Sequence, residues 1–353
     1  MVKVLVIDDS ALVRQILESG LNRDPEISVV GTAPDVYAAR DMIIEKQPDV
    51  LTLDIEMPRM DGIAFLKKLM PQYPIPVVVV SALAGAGADA TMEAMASGAV
   101  EVVLKPSVQL GQGLGAMMED LREKVKAAAS ADVSFWRDPH YGEKKKSISA
   151  TTKLKVSTDK VVAIGASTGG TVALQQIITA LPPDFPGTVV VQHMPAGFTK
   201  LFADRLNSFS SLRIKEAEDG DRVMTGQVLI APGGFETRVV RRGGQYHVKI
   251  QGQEKRNGHC PSVDDLFFSV SEEAAANSIG LILTGMGRDG AEGLLAMRKA
   301  GARTFSQDKA SSIVYGMPKE AWEIGASEME WGLEIIPSEL IKVVNQWGQV
   351  HAR

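Results

Sequence analysis

Short, wholly apolar runs alternate with helix-period segments twice along this chain, once before residue 106 and again after residue 161. In the first stretch, residues 2–7, 28–31, 50–53, 77–80 and 100–104 read as strands, and none shows the polar alternation of a sheet with one wet face. Strands buried on both faces belong to a parallel sheet with helices on either side. Leu12, Val13, Ile16, Leu17 and Leu21 show the helical spacing expected between them. In the second stretch, strands are expected at 161–166, 188–192, 227–231, 278–284 and 302–306, with helices at 169–180, 199–209, 263–277 and 290–300. Residues 238–240 and 246–250 flank Arg242-Gly243-Gly244, a hairpin signal. The expected fold class is α/β with two doubly wound domains: a five-stranded parallel sheet, then a mostly parallel sheet decorated by an antiparallel hairpin.

Between these stretches, residues 107–160 lose the pattern. One helix fits 116–129, so the first domain is set at 1–106 with a helix following to about 129. Residues 130–160 read as a linker, and 161–349 as the second domain. Lys144-Lys145-Lys146 is expected to be a solvated face, and Phe135-Trp136 to dock on the protein's own surface. A length of 353 residues suits two domains. The net charge of -5, from 38 basic and 43 acidic residues, argues against a nucleic-acid binder driven by bulk charge. A single cysteine, Cys260, excludes an internal disulfide or a cysteine metal cage. The apolar start is too short for a signal peptide, and no apolar run approaches the ~20 residues of a membrane span. These features set the expectation of a cytoplasmic protein without membrane insertion.

Open parallel sheets place their chemistry beyond the carboxyl ends of the strands. In the first domain those ends carry Asp8, Asp9, Asp54, Ser81 and Lys105. Neighbouring carboxylates raise one another's pKa values, and an oxygen-preferring Mg²⁺ relieves the repulsion. One carboxylate can then attack a phosphoryl donor while Lys105 and the metal neutralise the equatorial oxygens, and Ser81 can hydrogen-bond the new group. A single strand-end Asp reads as a helix cap; the full set with a lysine does not. Together with Asp54-Ile-Glu-Met-Pro-Arg-Met-Asp-Gly62, these residues resemble the receiver domain of bacterial response regulators over residues 1–106. The resemblance implies phosphorylation of Asp54 by a histidine kinase, Mg²⁺ held at Asp8, Asp9 and Asp54, and Ser81 with Lys105 as a switch pair. It also implies a cis bond at Lys105-Pro106. Val102 stands where many receivers carry an aromatic residue, so coupling is expected to run through Ser81 and through loop or helix shifts.

In the second domain, Gly165-Ala-Ser167-Thr-Gly169-Gly170 follows a strand and opens a helix, matching G-x-S-x-G. Its glycines permit a sharp turn that presents Ser167, and the helix amino terminus favours developing negative charge. A glycine-rich turn with a capping serine would look the same. A serine of ordinary pKa needs a base within reach. Of the five histidines, His193 lies at the carboxyl end of the neighbouring strand and His259, in a loop, is the second choice. The orienting carboxylate stays open among Asp264, Asp265, Asp289 and Asp308. Gly285, Gly287 and Gly290 also spell a dinucleotide-binding G-x-G-x-x-G, with Asp308 about 20 residues on. That reading leaves little chain to complete such a fold and leaves Ser167 and His193 without a role.

Gly165-Ala-Ser-Thr-Gly-Gly170, Gln192-His-Met-Pro195, Ile230-Ala-Pro-Gly-Gly234, Pro261-Ser-Val-Asp264, Thr284-Gly-Met-Gly-Arg-Asp-Gly290 and Val314-Tyr-Gly-Met-Pro318 resemble the receiver-fused chemotaxis protein-glutamate methylesterases, the CheB family. The resemblance implies Ser167 as nucleophile, His193 as general base and acid, Asp289 as orienting acid and the Met286 N–H as oxyanion donor. It implies no cofactor in the catalytic half, methylated chemoreceptors as substrate, glutamine deamidation as a second activity, and a receiver that covers the catalytic edge until phosphorylated. The chain order Ser, His, Asp differs from that of α/β hydrolases, so the elbow motif is a convergent likeness. Cys260 stands where the family usually has Arg, and Glu236-Thr237 where it has His-Met. Two other functions are compatible with the sequence: a phosphorylation-dependent scaffold, and the same chemistry on a non-chemotactic protein ester.

Overall fold

The computed structural model describes residues 1–81, 86–105, 113–137 and 159–347. The chain divides into two compact units, Met1–Glu143 and Lys144–Arg353. The lysine run at 144–146 and the Lys105-Pro106 bond fall outside the described residues, as does most of the expected linker.

In the first unit, β1 (Val2–Ile7), β2 (Ile27–Ala33), β3 (Val50–Leu53), β4 (Val77–Ser81) and β5 (Glu101–Leu104) form a parallel sheet in the order β2-β1-β3-β4-β5. The central strands are closed off on both faces, with Val4, Leu5, Val6, Leu51, Leu53, Val78 and Val79 all buried, which is why their sequences lack alternation. The helices are α1 (Ala11–Leu21), α2 (Val36–Lys46), α3 (Gly62–Gln72), α4 (Ala86–Ala96) and α5 (Leu114–Ala129). Three of them start on conventional side-chain caps. Ser10 accepts from Val13 N, Asp35 from Tyr37 N and Ala38 N, and Asp61 from Ala64 N. Capping thus falls to these residues, which leaves Asp8 and Asp54 for other work. Trp136, on a short 3₁₀ turn (Ser134–Arg137), does pack on its own unit: a Cβ at Gly98 would lie 3.3 Å from its ring.

The second unit holds a seven-stranded parallel sheet. Its strands are β6 (Val161–Ala166), β7 (Gly187–Gln192), β8 (Arg213–Glu216), β9 (Gln227–Ile230), β12 (Ser278–Ile282), β13 (Arg303–Gln307) and β14 (Met329–Trp331), in the order β14-β13-β12-β6-β7-β9-β8. The hairpin β10 (Glu236–Arg242) and β11 (Gln245–Gln251) forms a separate antiparallel pair whose turn glycines, Gly243 and Gly244, both have positive φ. Its inner face, with Val239, Tyr246 and Val248, packs into the core shared by Val263, Leu266, Phe267 and Val270 of α8 (Val263–Glu273). The other helices are α6 (Gly170–Ile178), α7 (Phe198–Phe209), α9 (Ala291–Lys299), α10 (Met317–Glu323) and α11 (Ile336–Trp347).

Two edge strands, β8 and β14, go beyond the expected set, as do α10 and α11. The helix expected over 263–277 stops at Glu273, where Ala275 takes a positive φ and a 3₁₀ turn follows. The strand expected to reach residue 284 ends at Ile282, and the last two residues turn toward the site.

Candidate active site

At the carboxyl edge of the first sheet, Lys105 Nζ lies 2.8 Å from Asp8 Oδ2 and 2.6 Å from Asp54 Oδ2. Oxygens of Asp8, Asp9 and Asp54 all lie within 4.8 Å of one another. Asp8 and Asp54 are buried while Asp9 is exposed, so the cluster opens to solvent on one side. Burial pushes Asp54 above the usual carboxylate range; Lys105 opposes this and Asp8 reinforces it. Burial disfavours the Lys105 ammonium, yet its hydrogen bonds to Asp54 and Asp8 outweigh that and hold its pKa above the ordinary lysine value. One lysine cannot neutralise three acids, and an all-oxygen donor set with an open side fits Mg²⁺. Gly62 is required by close approach, since a Cβ there would sit 2.5 Å from the Asp54 carbonyl oxygen. Ser81 ends β4, where its hydroxyl accepts from Thr91 Oγ1 of α4 at 2.8 Å and its carbonyl accepts from Lys105 N. Val102 is buried within β5.

In the second unit, β6 and β7 are neighbours, so their ends bring Ser167 and His193 side by side. Their loops are tied together. His193 N donates to Ala166 O at 3.0 Å, and buried Gln192 Nε2 donates to Ser167 O at 2.9 Å and His193 O at 3.1 Å. Ser167 N donates to Thr284 O, and Gly170 N back to Ser167 O. The left-handed φ of 77° at Gly169 makes the turn between strand and helix.

Asp289 arrives from the loop between β12 and α9. Its Oδ2 lies 2.9 Å from His193 Nε2 and accepts from Val263 N at 2.7 Å. Its Oδ1 accepts from Ser262 Oγ at 2.9 Å and Asn257 Nδ2 at 3.0 Å. Burial would raise this carboxyl, but the bonds from His193, Asn257 and Val263 overcome it and hold Asp289 well below the usual range. An ionised Asp289 can only accept, so His193 carries its proton on Nε2. His193 Nδ1 is buried and makes no hydrogen bond. The nitrogen left as base therefore faces no protein partner, and its bond to Ser167 is not made in this arrangement. Such bonds are often long before substrate binds.

The remaining sequence candidates take other places. His259 lies flat on His193, ring centroids 3.8 Å apart and 10° between planes. Asp264 accepts from Gly293 N and Asn257 Nδ2. Asp265 pairs with Arg256. Asp308 accepts from Ser311 N and Oγ, closing a local turn. Two glycines of the rival dinucleotide motif serve close packing, since a Cβ at Gly285 would meet Ser167 Cβ at 2.7 Å and one at Gly290 would meet Val263 at 2.5 Å, while Gly287 has open space around it and a positive φ of 80°. Met286 follows Gly285 in this loop; both polar backbone atoms of Gly285 are used by Val314, Gly316 and Met317, and those bonds do not involve the Met286 N–H. Glu236 and Cys260, the two departures, meet each other. Burial and then Glu236 push the thiol up to about 12, and Glu236 Oε2 accepts from Ser262 N at 3.0 Å. Sequence reasoning missed the roles of Asn257, Gln192 and the Ser262 hydroxyl; Gln192 and Ser262 lay in motifs, and Asn257 did not.

Fold and site together define a class: an acidic, lysine-bearing receiver sheet on one polypeptide with a second α/β unit that gathers a serine, a histidine and an aspartate at one sheet edge. The chain belongs to the CheB methylesterase family, which matches residues 162–340, with a response regulator receiver domain matching residues 4–112. It is 52% identical to the protein-glutamate methylesterase/protein-glutamine glutaminase of Syntrophotalea carbinolica over 98% of each chain. It is 50% identical to the second such protein of Syntrophomonas wolfei, again over 98% of each. The crystal structure of the Thermotoga maritima CheB methylesterase catalytic domain, 42% identical, superposes over 53% of this chain and all of that one with a TM-score of 0.52.

Proposed function

We propose that this chain is a phosphorylation-activated serine hydrolase that removes methyl esters from glutamate side chains of chemoreceptors and deamidates selected glutamines. The observation that carries the reading is the 2.9 Å contact of His193 Nε2 with an ionised Asp289, which leaves Nδ1 as a base beside the Ser167 turn. Ser167 Oγ passes its proton to His193 Nδ1 as it attacks the ester carbonyl. The oxyanion is held by the Met286 N–H with the field of the α6 amino terminus. His193 then gives its proton to the leaving methoxide, methanol departs, and water opens the acyl-enzyme by the same route. With a glutamine side chain the leaving group is ammonia. Asp289 fixes the tautomer and stabilises the imidazolium.

Control belongs to residues 1–106 with the helix that follows to 129, joined through 130–160 to the catalytic residues 161–349. Asp54 accepts a phosphoryl group from a chemotaxis histidine kinase. When bound among Asp8, Asp9 and Asp54, Mg²⁺ supplies charge neutralisation for that transfer. Lys105 exchanges a carboxylate partner for the phosphoryl oxygens, and the Ser81 hydroxyl turns from Thr91 to the same group. Phosphorylation shifts the population away from a covered catalytic edge. No helix among the described residues is long and apolar enough to cross a membrane, in keeping with action from the cytoplasm on receptor tails. Methanol release from methylated receptor, with and without phosphodonor and Mg²⁺, tests the whole reading; a folded, phosphorylated protein that releases none would leave the scaffold alternative.

A further inference from the structure

Residues 256–259 form a tight turn closed by Arg256 N to His259 O at 3.0 Å and His259 N to Arg256 O at 2.9 Å. Asn257 and Gly258 both have positive φ, 53° and 86°, the backbone of a two-residue type I′ turn that favours Asn-Gly. The turn is anchored to α8: the Arg256 guanidinium lies over the Phe268 ring at 5.3 Å, and its Nε is 2.8 Å from Asp265 Oδ1, placed as an ion pair rather than a hydrogen bond. Two side chains leave this anchored turn, and each meets one member of the hydrogen-bonded pair. Asn257 Nδ2 donates to Asp289 Oδ1, the oxygen His193 does not use, and also to Asp264 Oδ2 at 2.8 Å. His259 covers one face of the His193 ring.

We infer that the Arg256–His259 turn is a positioning clamp for the catalytic pair: Asn257 fixes the Asp289 carboxylate through its second oxygen, and His259 fixes the plane of the His193 ring by stacking. The inference rests on the hydrolase reading and deepens it. The clamp answers a geometric need. With Nδ1 unbonded, Asp289 is the hydrogen-bond partner that holds the imidazole, and that one contact sets the tilt of the ring about χ2 only weakly. A flat ring against its face removes this freedom, and flat rings pack in stacked arrangements. On the carboxylate side, the Asn257 amide bridges Asp289 and Asp264, so neither acid can turn without losing a donor. Both are positioning residues, since each acts through the side chain it touches, Asn257 through Asp289 and His259 through His193.

The test uses the full chain with a receptor fragment carrying glutamate methyl esters. His259→Ala and Asn257→Gly, the latter preserving the positive φ, are each expected to lower kcat by about 10- to 100-fold, the range a small misplacement of a reacting group costs. KM should stay within about twofold, because ester binding does not use them. His259→Phe restores most of the rate, because a flat ring and not imidazole chemistry is what the site needs. Wild-type turnover in either truncation overturns the clamp, as does a Phe variant no better than Ala. Ring-nitrogen NMR of His193 gives a readout independent of esterase activity: one Nε2–H tautomer in wild type and His259→Phe, and an exchange-averaged one in His259→Ala and Asn257→Gly. A wild-type chain without esterase but with that tautomer pattern would remove the hydrolase reading while supporting the clamp.

Discussion

The proposed mechanism asks His193 to hold a carboxylate and take a proton, and its two nitrogens can divide the tasks: Nε2 meets Asp289 and Nδ1 is left over. Ser167→Ala should lower ester hydrolysis by at least about a thousandfold while phosphotransfer to Asp54 proceeds at the wild-type rate, which radiolabelled phosphodonor would measure. Cys260 gives the contrasting case. A thiol pushed up to about 12 is neutral at working pH and therefore a poor nucleophile. Cys260→Ala should keep kcat within about twofold of wild type, and loss of turnover there would make the thiol a participant. Asp289 also has a stability signature. Its folded pKa lies below the ordinary 3.8, so its contribution is complete at neutral pH and fades as pH falls from 3.8 through the depressed folded value. Urea midpoints measured from pH 7 down to pH 2 should drop more steeply for wild type than for Asp289→Asn.

The strand–helix turns are where local sequence becomes site geometry. At the amino end of α6, a Cβ on Gly170 would lie 2.2 Å from Gln192 Oε1 and 2.7 Å from Ala166 Cβ. Gln192 is the side chain that ties the serine and histidine loops together. Gly170→Ala should therefore cost about 1–3 kcal/mol through overpacking and, in protein that remains folded, lower kcat by about tenfold or more. Gly115 is the control: nothing lies within 4 Å of a Cβ there, and Gly115→Ala inside α5 should stabilise the receiver unit by about 0.4–1 kcal/mol with basal turnover unchanged. These turns were legible in advance because parallel strands buried on both faces announce themselves as apolar runs, and their carboxyl ends then name Asp8, Asp54, Ser167 and His193. Edge strands do not announce themselves. In β8, Arg-Ile-Lys-Glu, only Ile214 is fully buried, and β14 has three residues, too few to show a period. Asn257 escaped for a related reason, and His259 was weighed as a base rather than as a stacked ring: a turn held by tertiary contacts has no periodicity, and the stack on His193 depends on an anchor to α8 that the sequence does not show.

The chain forms two compact units, and the proposed division of catalysis and control between them predicts that a single cut separates the two. The catalytic unit contains its own seven-stranded sheet and the core beneath the hairpin, and Ser167, His193, Asp289 and the turn at 256–259 all lie inside it. The solved Thermotoga maritima CheB methylesterase catalytic domain spans 53% of this chain, and the catalytic unit here is expected to fold on its own in the same way. The receiver unit brings together Asp8, Asp9, Asp54 and Lys105, the groups proposed to take up a phosphoryl group. Asp54→Asn in the full chain should leave basal hydrolysis intact and abolish its stimulation by phosphodonor with Mg²⁺; stimulation that persists would contradict control through Asp54. Removing residues 1–130 should yield a folded esterase that no phosphodonor stimulates. If the receiver acts by covering the catalytic edge, the fragment's turnover must exceed that of the unphosphorylated full chain. If it acts by actively assembling the site, the fragment must fall below it although Ser167 and His193 are intact. The ratio of fragment to full-chain rate, measured as methanol released per molecule of folded protein, therefore lies above one under occlusion and below one under assembly, and occlusion requires the fragment to be the faster.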